Sequence, residues 1–543
     1  MNAVATRMAA LVATEICMAV ASRASILPAR FGALWYPGET AAFEVEGRGE
    51  SSGLDAAGGQ QAGDNKKIWH VTDWLGEERA SGALSAGAAA IAIPHDALGG
   101  RFGAFRLALG TNETWFAFLP SREVAPCTWA GTGTHAGHGG WSGDFRYLDL
   151  VAAAGLGVVR DDAIWDWHEK KRGEIVFTEN FRAMVQALMV RGILFACVLN
   201  GKNDLYEDPL DADAFARYAK AAATAAREYG VGVRVFEIFN EPHNFAFPRV
   251  YLPEGAEYVR FQCDPKALWV RKHAELTRKA AAAIRDVMPG ADVGVGSEDY
   301  WDLFKRMLAS APIARKGDVV TIHPYDHFQP RPENNWFFRD GGREVRETLL
   351  ANGGADRIAI TECGWTTYDA TDGGAHAHVG NYPASTLVEQ AQYVVRLYVL
   401  ARQHGLEFAC QYDFMDDGPR RDYTEHNFGL VRKDATPKPA FAAVAAMTRL
   451  VGDAEPLGLA GGIDQAKVRI YRFRRPDGST VSAAWAVQGD ALLDAGVLQG
   501  EVPSDTVFLD LMGNEIPPPL DAGGRIRLSE RPLYVVEAGQ NAR

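Results

Sequence analysis

The chain has 543 residues, of which 47% are hydrophobic and 23% charged, so it is globular and should form about two to four domains. Its formal net charge of -13 disfavours nucleic acids and anionic membrane surfaces as partners, because both attract clustered Lys and Arg. None of the six cysteines forms a CxxC or CxxH pair, so no zinc site of the usual spacing is predicted.

Residues 1–24 outline a signal peptide or leader, with a basic residue, an apolar stretch and small residues near Ala21. Glu15 interrupts the apolar stretch, so an amphipathic helix remains an alternative. We expect a secreted or periplasmic protein, with a cytoplasmic location as the alternative. No later apolar run reaches about 18 residues, so no other membrane span is predicted.

Residues 25–126 contain short runs rich in β-forming residues, separated by turns rich in Gly, Ser and Asn. This spacing predicts an N-terminal β-sandwich domain. The predicted strands are FGALWY, AAFEVEG, KIWHVTDW, AAAIAIP, GAFRLALG and TWFAFLP.

Residues 127–450 alternate apolar strand-like runs with long amphipathic helical patterns. Eight strands that alternate with helices predict a (β/α)8 TIM barrel, with a doubly wound open sheet as the alternative. The predicted strands are CTWAGTGTH, GVVRDDAIW, ILFACVLN, VRVFEIFN, ADVGVGSE, VVTIHPY, RIAITECGW and FACQYDF. Residues 451–543 return to short strands and predict a C-terminal β-domain.

Two glutamates stand at the ends of barrel strands. Glu241 follows the fourth strand in VRVFEIFNEPHN, and Glu362 ends the seventh in RIAITECGW. Strand ends converge on one face of such a barrel, and the fourth and seventh strands lie across its mouth. Two carboxylates placed there can flank a glycosidic bond, one as general acid and base and the other as nucleophile.

These motifs resemble glycoside hydrolase clan A, in particular families 39 and 5. Asn240-Glu241-Pro242 is similar to the acid/base motif of the clan, and Thr361-Glu362 with Gly364-Trp365 to its nucleophile motif. The resemblance covers residues 128–450 and implies a retaining glycosidase that acts on β-linked oligo- or polysaccharides.

The resemblance also implies substrate-binding residues around the two glutamates. Arg160 matches the second-strand arginine near the nucleophile, and His323 and Tyr325 match a pair on the sixth strand. Asn240 is expected to contact a sugar hydroxyl, and Trp365 to stack on a sugar ring. The clan usually carries a Trp at the end of strand eight, where this chain reads CQYDFMDDG, so Tyr412 or Phe414 is expected to replace it.

Two other functions are compatible with the same barrel. A metal-dependent hydrolase would use His135, His138, His323 or Asp413, but the HxxH spacing and the glutamate on strand four argue against it. A non-catalytic carbohydrate-binding protein would be expected to have lost one of the two glutamates. We therefore predict no metal and no cofactor, and the sequence does not indicate an oligomeric state.

Overall fold

The computed structural model describes residues 25–46, 67–85, 88–137, 140–141, 143–244, 246–298, 301–310, 314–326, 330–352, 354–370, 382–494 and 506–538. The proposed leader at residues 1–24 lies outside them. The chain divides into two compact units, Met1–Phe118 and Leu119–Arg543. Residues 119–126, which the sequence pattern placed with the N-terminal domain, therefore belong to the second unit.

The first unit consists of two sheets around one hydrophobic core. Strands β1, β3 and β6 form one sheet, and β2, β8, β7, β4 and β5 form the other in that order. Both sheets contribute buried side chains to the core, among them Phe43, Ile93, Phe105 and Phe116. The strands are β1 Ser25–Pro28, β2 Leu34–Trp35, β3 Thr40–Glu46, β4 Lys67–Asp73, β5 Glu78–Leu84, β6 Ala90–Pro94, β7 Gly103–Leu109 and β8 Asn112–Phe118.

The second unit contains a closed barrel of eight parallel strands, in the order in which they follow one another along the chain. All eight predicted strands are present, so the TIM barrel is confirmed and the open sheet is excluded. They are β9 Cys127–Gly133, β10 Leu156–Ile164, β11 Leu194–Asn200, β12 Val233–Ile238, β13 Val293–Glu298, β14 Val319–Ile322, β15 Arg357–Cys363 and β16 Ala409–Gln411.

Helices follow the barrel strands, and the two longest, Ala212–Tyr229 and Leu268–Val287, bury one apolar face, as the sequence pattern predicts. Leu387–Gln403 is instead buried on all sides from Gln390 to Ala401. Thr178 accepts a hydrogen bond from the backbone N–H of Phe181 and so caps α3. No helix among the described residues is both long and apolar enough to cross a membrane. The helices are α1 Tyr147–Ala153, α2 Trp165–His168, α3 Glu179–Met189, α4 Ala212–Tyr229, α5 Phe247–Val250, α6 Tyr258–Gln262, α7 Leu268–Val287, α8 Trp301–Ser310, α9 Gly342–Asn352, α10 Leu387–Gln403 and α11 Pro439–Val451.

The barrel closes where β16 pairs with β9, with Cys410 opposite Gly131. A Cβ atom at Gly131 would lie 2.7 Å from Val158 Cβ and 2.9 Å from Cys410 Sγ, closer than real Cβ atoms come. Glycine is therefore the residue that lets the first strand pack between its two neighbours.

The C-terminal strands form a six-stranded sheet, in the order β17, β18, β19, β24, β21 and β22, and a two-stranded sheet of β20 and β23. They enclose a core of their own that includes Ile470, Phe508, Ile526 and Val535. The strands are β17 Glu455–Leu459, β18 Val468–Arg474, β19 Thr480–Ala486, β20 Ala491–Leu493, β21 Val507–Leu509, β22 Glu515–Ile516, β23 Ile526–Leu528 and β24 Leu533–Glu537.

A buried ion pair joins the barrel to these C-terminal strands. Arg396 of α10 lies 3.2 Å from Glu333, and neither side chain is exposed to solvent. The other carboxylate oxygen of Glu333 accepts a hydrogen bond of 2.5 Å from Trp485 Nε1 on β19. Arg396 also donates to the backbone oxygen of Ala486 at 3.2 Å. The charges of Arg396 and Glu333 stabilise each other, because neither side chain is exposed to water.

We expect Glu333→Gln to destabilise the protein by about 3–5 kcal/mol, because it leaves Arg396 buried without a counter-charge. The amide oxygen still accepts from Trp485, so only the charge is lost. Denaturant unfolding of the variant measures the effect. Arg331→Gln is the control, because Arg331 pairs with Glu530 where both side chains are partly exposed. It should cost about 1 kcal/mol or less, and an equal loss in both variants would contradict the prediction.

Candidate active site

The carboxyl ends of the barrel strands surround a pocket of about 500 Å³. Such a volume is typical of a site for a small molecule or a few sugar rings. Six of the predicted site residues line the pocket: Arg160, Asn240, Glu241, Tyr325, Glu362 and Tyr412. Asp161, Asp162, Asn244, Arg249, Tyr382 and Glu425 also line it.

Arg160, on β10, links three acceptors at the base of the pocket. Its Nε donates to Glu237 Oε2 at 2.6 Å, its Nη1 to Glu362 Oε1 at 2.6 Å and its Nη2 to Asn240 Oδ1 at 2.7 Å. Because the guanidinium is planar and rigid, these bonds fix both Glu362 and Asn240 in orientation. The bond to Asn240 Oδ1 leaves the amide N–H2 of that side chain as its donor group.

Glu362 ends β15 and is held from a second side by Tyr325, whose hydroxyl donates to Glu362 Oε2 at 3.3 Å. Burial raises the pKa of Tyr325 well above its usual value, so the phenol stays protonated and remains a donor. Gly364 lies against the backbone of Tyr412 so closely that a Cβ there would clash with the Tyr412 carbonyl oxygen. This contact brings the ends of strands seven and eight together beside Glu362.

Glu241 follows β12 in a left-handed backbone conformation, with φ of 40°. This conformation is uncommon for a residue with a side chain, and it is held by a bond of 2.9 Å from Glu241 N to Ser297 O. On the side chain, Oε1 accepts from His323 Nδ1 at 2.9 Å and Oε2 from Asn244 Nδ2 at 3.0 Å. His323 is completely buried and does not line the pocket, so it contacts Glu241 from behind.

The two glutamates face each other across the pocket. One oxygen of Glu241, one of Glu362 and a ring nitrogen of His323 all lie within 4.8 Å of one another. Carboxyl groups about 5–5.5 Å apart are typical of retaining glycosidases, and inverting enzymes separate theirs by about 6.5–9.5 Å. The distance between the Glu241 and Glu362 oxygens is therefore closer to the spacing in retaining enzymes than to that in inverting enzymes.

Charge is balanced by two buried cations. Burial lowers the pKa of Arg160, but the charges of Glu237 and Glu362 raise it by more, so the guanidinium stays charged. Burial likewise lowers the pKa of His323, and Glu362 and Glu241 outweigh it, so the net shift is upward. Burial raises the pKa of Glu241, but the hydrogen bond and charge of His323, together with Asn244 and His243, lower it by more. The two shifts, upward for His323 and downward for Glu241, favour the proton on the ring side of their hydrogen bond.

The other ring nitrogen of His323 faces two hydroxyl groups. Its Nε2 lies 3.1 Å from Thr361 Oγ1 and 3.3 Å from Ser297 Oγ. Thr361 donates its own proton to Glu237 Oε1 at 2.7 Å, so it accepts from His323. Nε2 is therefore a donor toward Thr361, and the role of Nδ1 depends on whether Glu241 or the ring holds their shared proton.

Glu237 was not identified from the sequence, where it reads as one more residue of an apolar strand. It is fully buried on β12, behind Arg160. Burial raises its pKa, but Arg160, His323 and Thr361 lower it by more, so it remains ionised. A charged residue inside an otherwise apolar strand, four residues before Glu241, was the available signal.

Tyr412 and Glu425 form one wall of the pocket, where clan A usually has a tryptophan. Tyr412 donates to Glu425 Oε2 at 3.5 Å and packs edge-on against Phe428. Burial, with Asp417 and Glu362 nearby, raises the pKa of Glu425 to about 7. Of the two residues expected to replace the tryptophan, Tyr412 lines the pocket, and Phe414 is buried beneath it against Trp141 and Phe441.

The substrate-binding role predicted for Trp365 needs correction. Its ring is buried, it packs against Tyr393, and its Nε1 donates to the backbone oxygen of Pro330 at 2.6 Å. It is not among the residues that line the pocket. The side chain therefore stabilises the loop after β15 and is not positioned to stack on a sugar.

Among the residues that the structure describes, two groups of side chains could hold a cation: Glu241 with His323 and Glu362, and His135 with Asp413 and Asp417. The first group fits a metal poorly, because Arg160 already donates to Glu362 and supplies positive charge there. In the second group, His135 and Asp413 are residues that the metal-dependent alternative invoked. His138, a third, lies outside the described residues.

No protein-family model and no curated protein matches the chain. Among solved structures, a family 39 glycoside hydrolase from the gut symbiont Bacteroides cellulosilyticus WH2 superposes with a TM-score of 0.67 at 20% identity, over 94% of this chain and 100% of that one. The chain therefore has the fold of that structure. The expected closed parallel barrel, with additional sheets in the N-terminal and C-terminal regions of the chain, is confirmed.

Two further solved structures are less similar. An endo-β1,6-glucanase has a TM-score of 0.47 at 9% identity, over 87% of this chain and 100% of that one. The catalytic domain of xylanase C from Talaromyces cellulolyticus has a TM-score of 0.45 at 14% identity, over 76% and 98%.

The charge balance predicts how His323 titrates. We expect its pKa to lie above the ordinary value near 6.5 in the wild type, because two carboxylates face it. In Glu241→Gln the pKa should fall, because burial remains and one carboxylate is gone. Carbon-13 NMR of labelled histidine rings measures both values, with His323→Gln to assign the signal. Buried His273, whose pKa burial lowers to about 3, should stay neutral in every variant and serves as the control. An unchanged His323 pKa in Glu241→Gln would refute the pairing.

Glu237 should matter for stability more than Glu362 does. We expect Glu237→Gln to cost about 1.5–3 kcal/mol, the usual range for a buried charge-assisted hydrogen bond. Glu362→Gln should cost less than about 1 kcal/mol, because it relieves crowding among three carboxylates at a functional site. Denaturant unfolding of both isosteric variants makes the comparison. The reverse order would mean that Glu237 does not hold Arg160 in place.

Proposed function

We propose that the protein is a retaining glycoside hydrolase that cleaves β-linked oligo- or polysaccharides by double displacement. Glu362 is the nucleophile and Glu241 the general acid and base. The observation that supports this most strongly is the short spacing of the two carboxylates across the pocket. The clan A fold and the motifs around both glutamates point the same way.

In the first step, a Glu362 oxygen forms a bond to the anomeric carbon as the bond to the leaving oxygen breaks. Glu241 gives its proton to that oxygen. Arg160 and Tyr325 hold Glu362 in place through its two oxygens. In the second step Glu241 takes a proton from water, whose oxygen attacks the anomeric carbon and releases Glu362.

The pKa shifts of Glu241 and His323, which favour the proton on the ring, are compatible with this role. His323 Nδ1 is 2.9 Å from Glu241 Oε1, so a proton can pass along this bond when the leaving oxygen needs it. After transfer, Glu241 is a neutral acid and His323 a neutral base. The general acid is thus the Glu241–His323 pair, because neither residue alone determines where the proton lies.

Asn240 and the Tyr412–Glu425 wall are the proposed contacts to the sugar. Arg160 binds Asn240 Oδ1, so the amide N–H2 can donate to the hydroxyl next to the anomeric carbon. At pH values below about 7, Glu425 carries a proton and can also donate. This wall offers hydrogen bonds where a tryptophan would offer only a ring face.

Chemical rescue distinguishes the two glutamates. In Glu241→Ala a good leaving group such as a dinitrophenol still departs, so the covalent intermediate should accumulate. Azide needs no base and should restore turnover, giving a glycosyl azide of retained configuration. In Glu362→Ala, azide should fill the space of the nucleophile and give the inverted product. NMR of the product shows the anomeric configuration.

Glu241→Gln and Glu362→Gln provide shape-matched controls in the same assay, since neither creates space for azide. Swapped configurations would mean that the two roles are reversed. If folded wild type turned over no aryl β-glycoside in a broad screen, the carbohydrate-binding alternative would replace the enzyme. Loss of wild-type turnover on treatment with a chelator would instead favour the metal-dependent hydrolase.

A further inference from the structure

The seam of the barrel carries a second group of ionisable side chains, one of which, His135, also lines the active-site pocket. Strands β9 and β16 pair there, with Gln411 opposite Thr132. The loops that follow these two strands bring His135 together with Asp413 and Asp417. His135 Nδ1 lies 2.8 Å from Asp417 Oδ1 and 4.0 Å from Asp413 Oδ2. One donor atom from each residue lies within 4.8 Å of the others.

Asp413 is the residue that suggests a ligand. Its side chain is only 4% exposed. Its carboxylate faces His135 without a hydrogen bond to the ring, and Oδ1 has no hydrogen-bond partner among the described residues. A buried carboxylate oxygen without a partner is costly, so such a group usually binds a donor or a cation.

Neighbouring charged groups do not provide that partner. Lys438 pairs with Asp416 at 2.6 Å. Asp161, also nearby, is bound by Thr134 Oγ1 at 2.5 Å and by Gly137 N at 3.1 Å. Two carboxylates, from Asp413 and Asp417, therefore face one imidazole, and a cation would bind all three.

We propose that His135, Asp413 and Asp417 bind a divalent transition-metal cation, with Zn²⁺ as the probe. One ring nitrogen and two carboxylates suit Zn²⁺, which binds such donors at about 2.0–2.2 Å. Ca²⁺ prefers an all-oxygen set of six to eight ligands, which these residues do not form. The ion would tie the loop after the first strand to the loop after the last, at the rim of the pocket. This site is separate from the two glutamates and does not depend on the proposed hydrolase function.

Calorimetric titration of the full chain with Zn²⁺, after chelator dialysis, tests the proposal. We expect one equivalent to bind to the wild type. Asp417→Asn and His135→Gln should each weaken binding at least about 10-fold, because loss of even a supporting partner costs about 10–100-fold. Both residues are partly exposed, so the variants should fold, which circular dichroism checks.

Two controls separate this site from other ways of binding zinc. His70→Gln removes a surface histidine that pairs with a single carboxylate, Glu78, at 3.1 Å and should leave the affinity unchanged. Glu362→Gln tests the other candidate group and should also leave it unchanged.

Three results would overturn the proposal. The first is no Zn²⁺ binding, which would mean that a protonated His135 alone balances the two carboxylates. The second is loss of binding in Glu362→Gln but not in Asp417→Asn. The third is unchanged affinity in His135→Gln, which would exclude the ring as a ligand.

Discussion

The bridge that Arg160 makes between Glu237 and Glu362 is the interaction on which the active site depends. Three glutamates, Glu237, Glu241 and Glu362, lie together in a buried region, where each is 9% exposed or less. Isolated charges there would be very costly, and each would take up a proton to become neutral. The guanidinium compensates two of them at once, and its planar shape also fixes their positions. Arg160 thus supplies a counter-charge to Glu362 through a hydrogen bond of 2.6 Å.

The barrel supplies this arrangement through the order of its strands. Arg160 comes from the second barrel strand, Glu237 from the fourth and Glu362 from the seventh, and all three point toward the same space because parallel strand ends converge. Asn240 and Glu241 follow Glu237 on the same segment, so one rigid strand supports both the buried counter-charge and the proposed acid. A shift of one residue in the register of that strand would turn Glu237 to the other face of the sheet, away from Arg160.

The sequence predicted the barrel and its two glutamates because long periodic segments and strand-end motifs are local signals. It missed β5, Glu78–Leu84, because ERASGAL has no β-branched or aromatic residue. That strand forms at the edge of its sheet, where Gly82 leaves room for the ring of Trp69. The prediction that Trp365 stacks on a sugar ring failed for a related reason. Whether an indole faces a sugar or a backbone carbonyl depends on a loop fold that the motif does not encode.

The partner of Glu241 could not be read from the sequence either, and it changes how the proposed mechanism works. A residue that acts as acid in one step and base in the next must hold its proton only part of the time. With Arg160 beside it, Glu241 would stay ionised, and with no cation, burial would keep it protonated. Burial lowers the pKa of His323 and the two facing carboxylates raise it by more, so its ring can hold the proton between the steps. The two basic residues thus have different roles. Arg160, which is permanently charged, binds the proposed nucleophile Glu362, and His323, which can gain or lose a proton, binds the proposed acid and base Glu241.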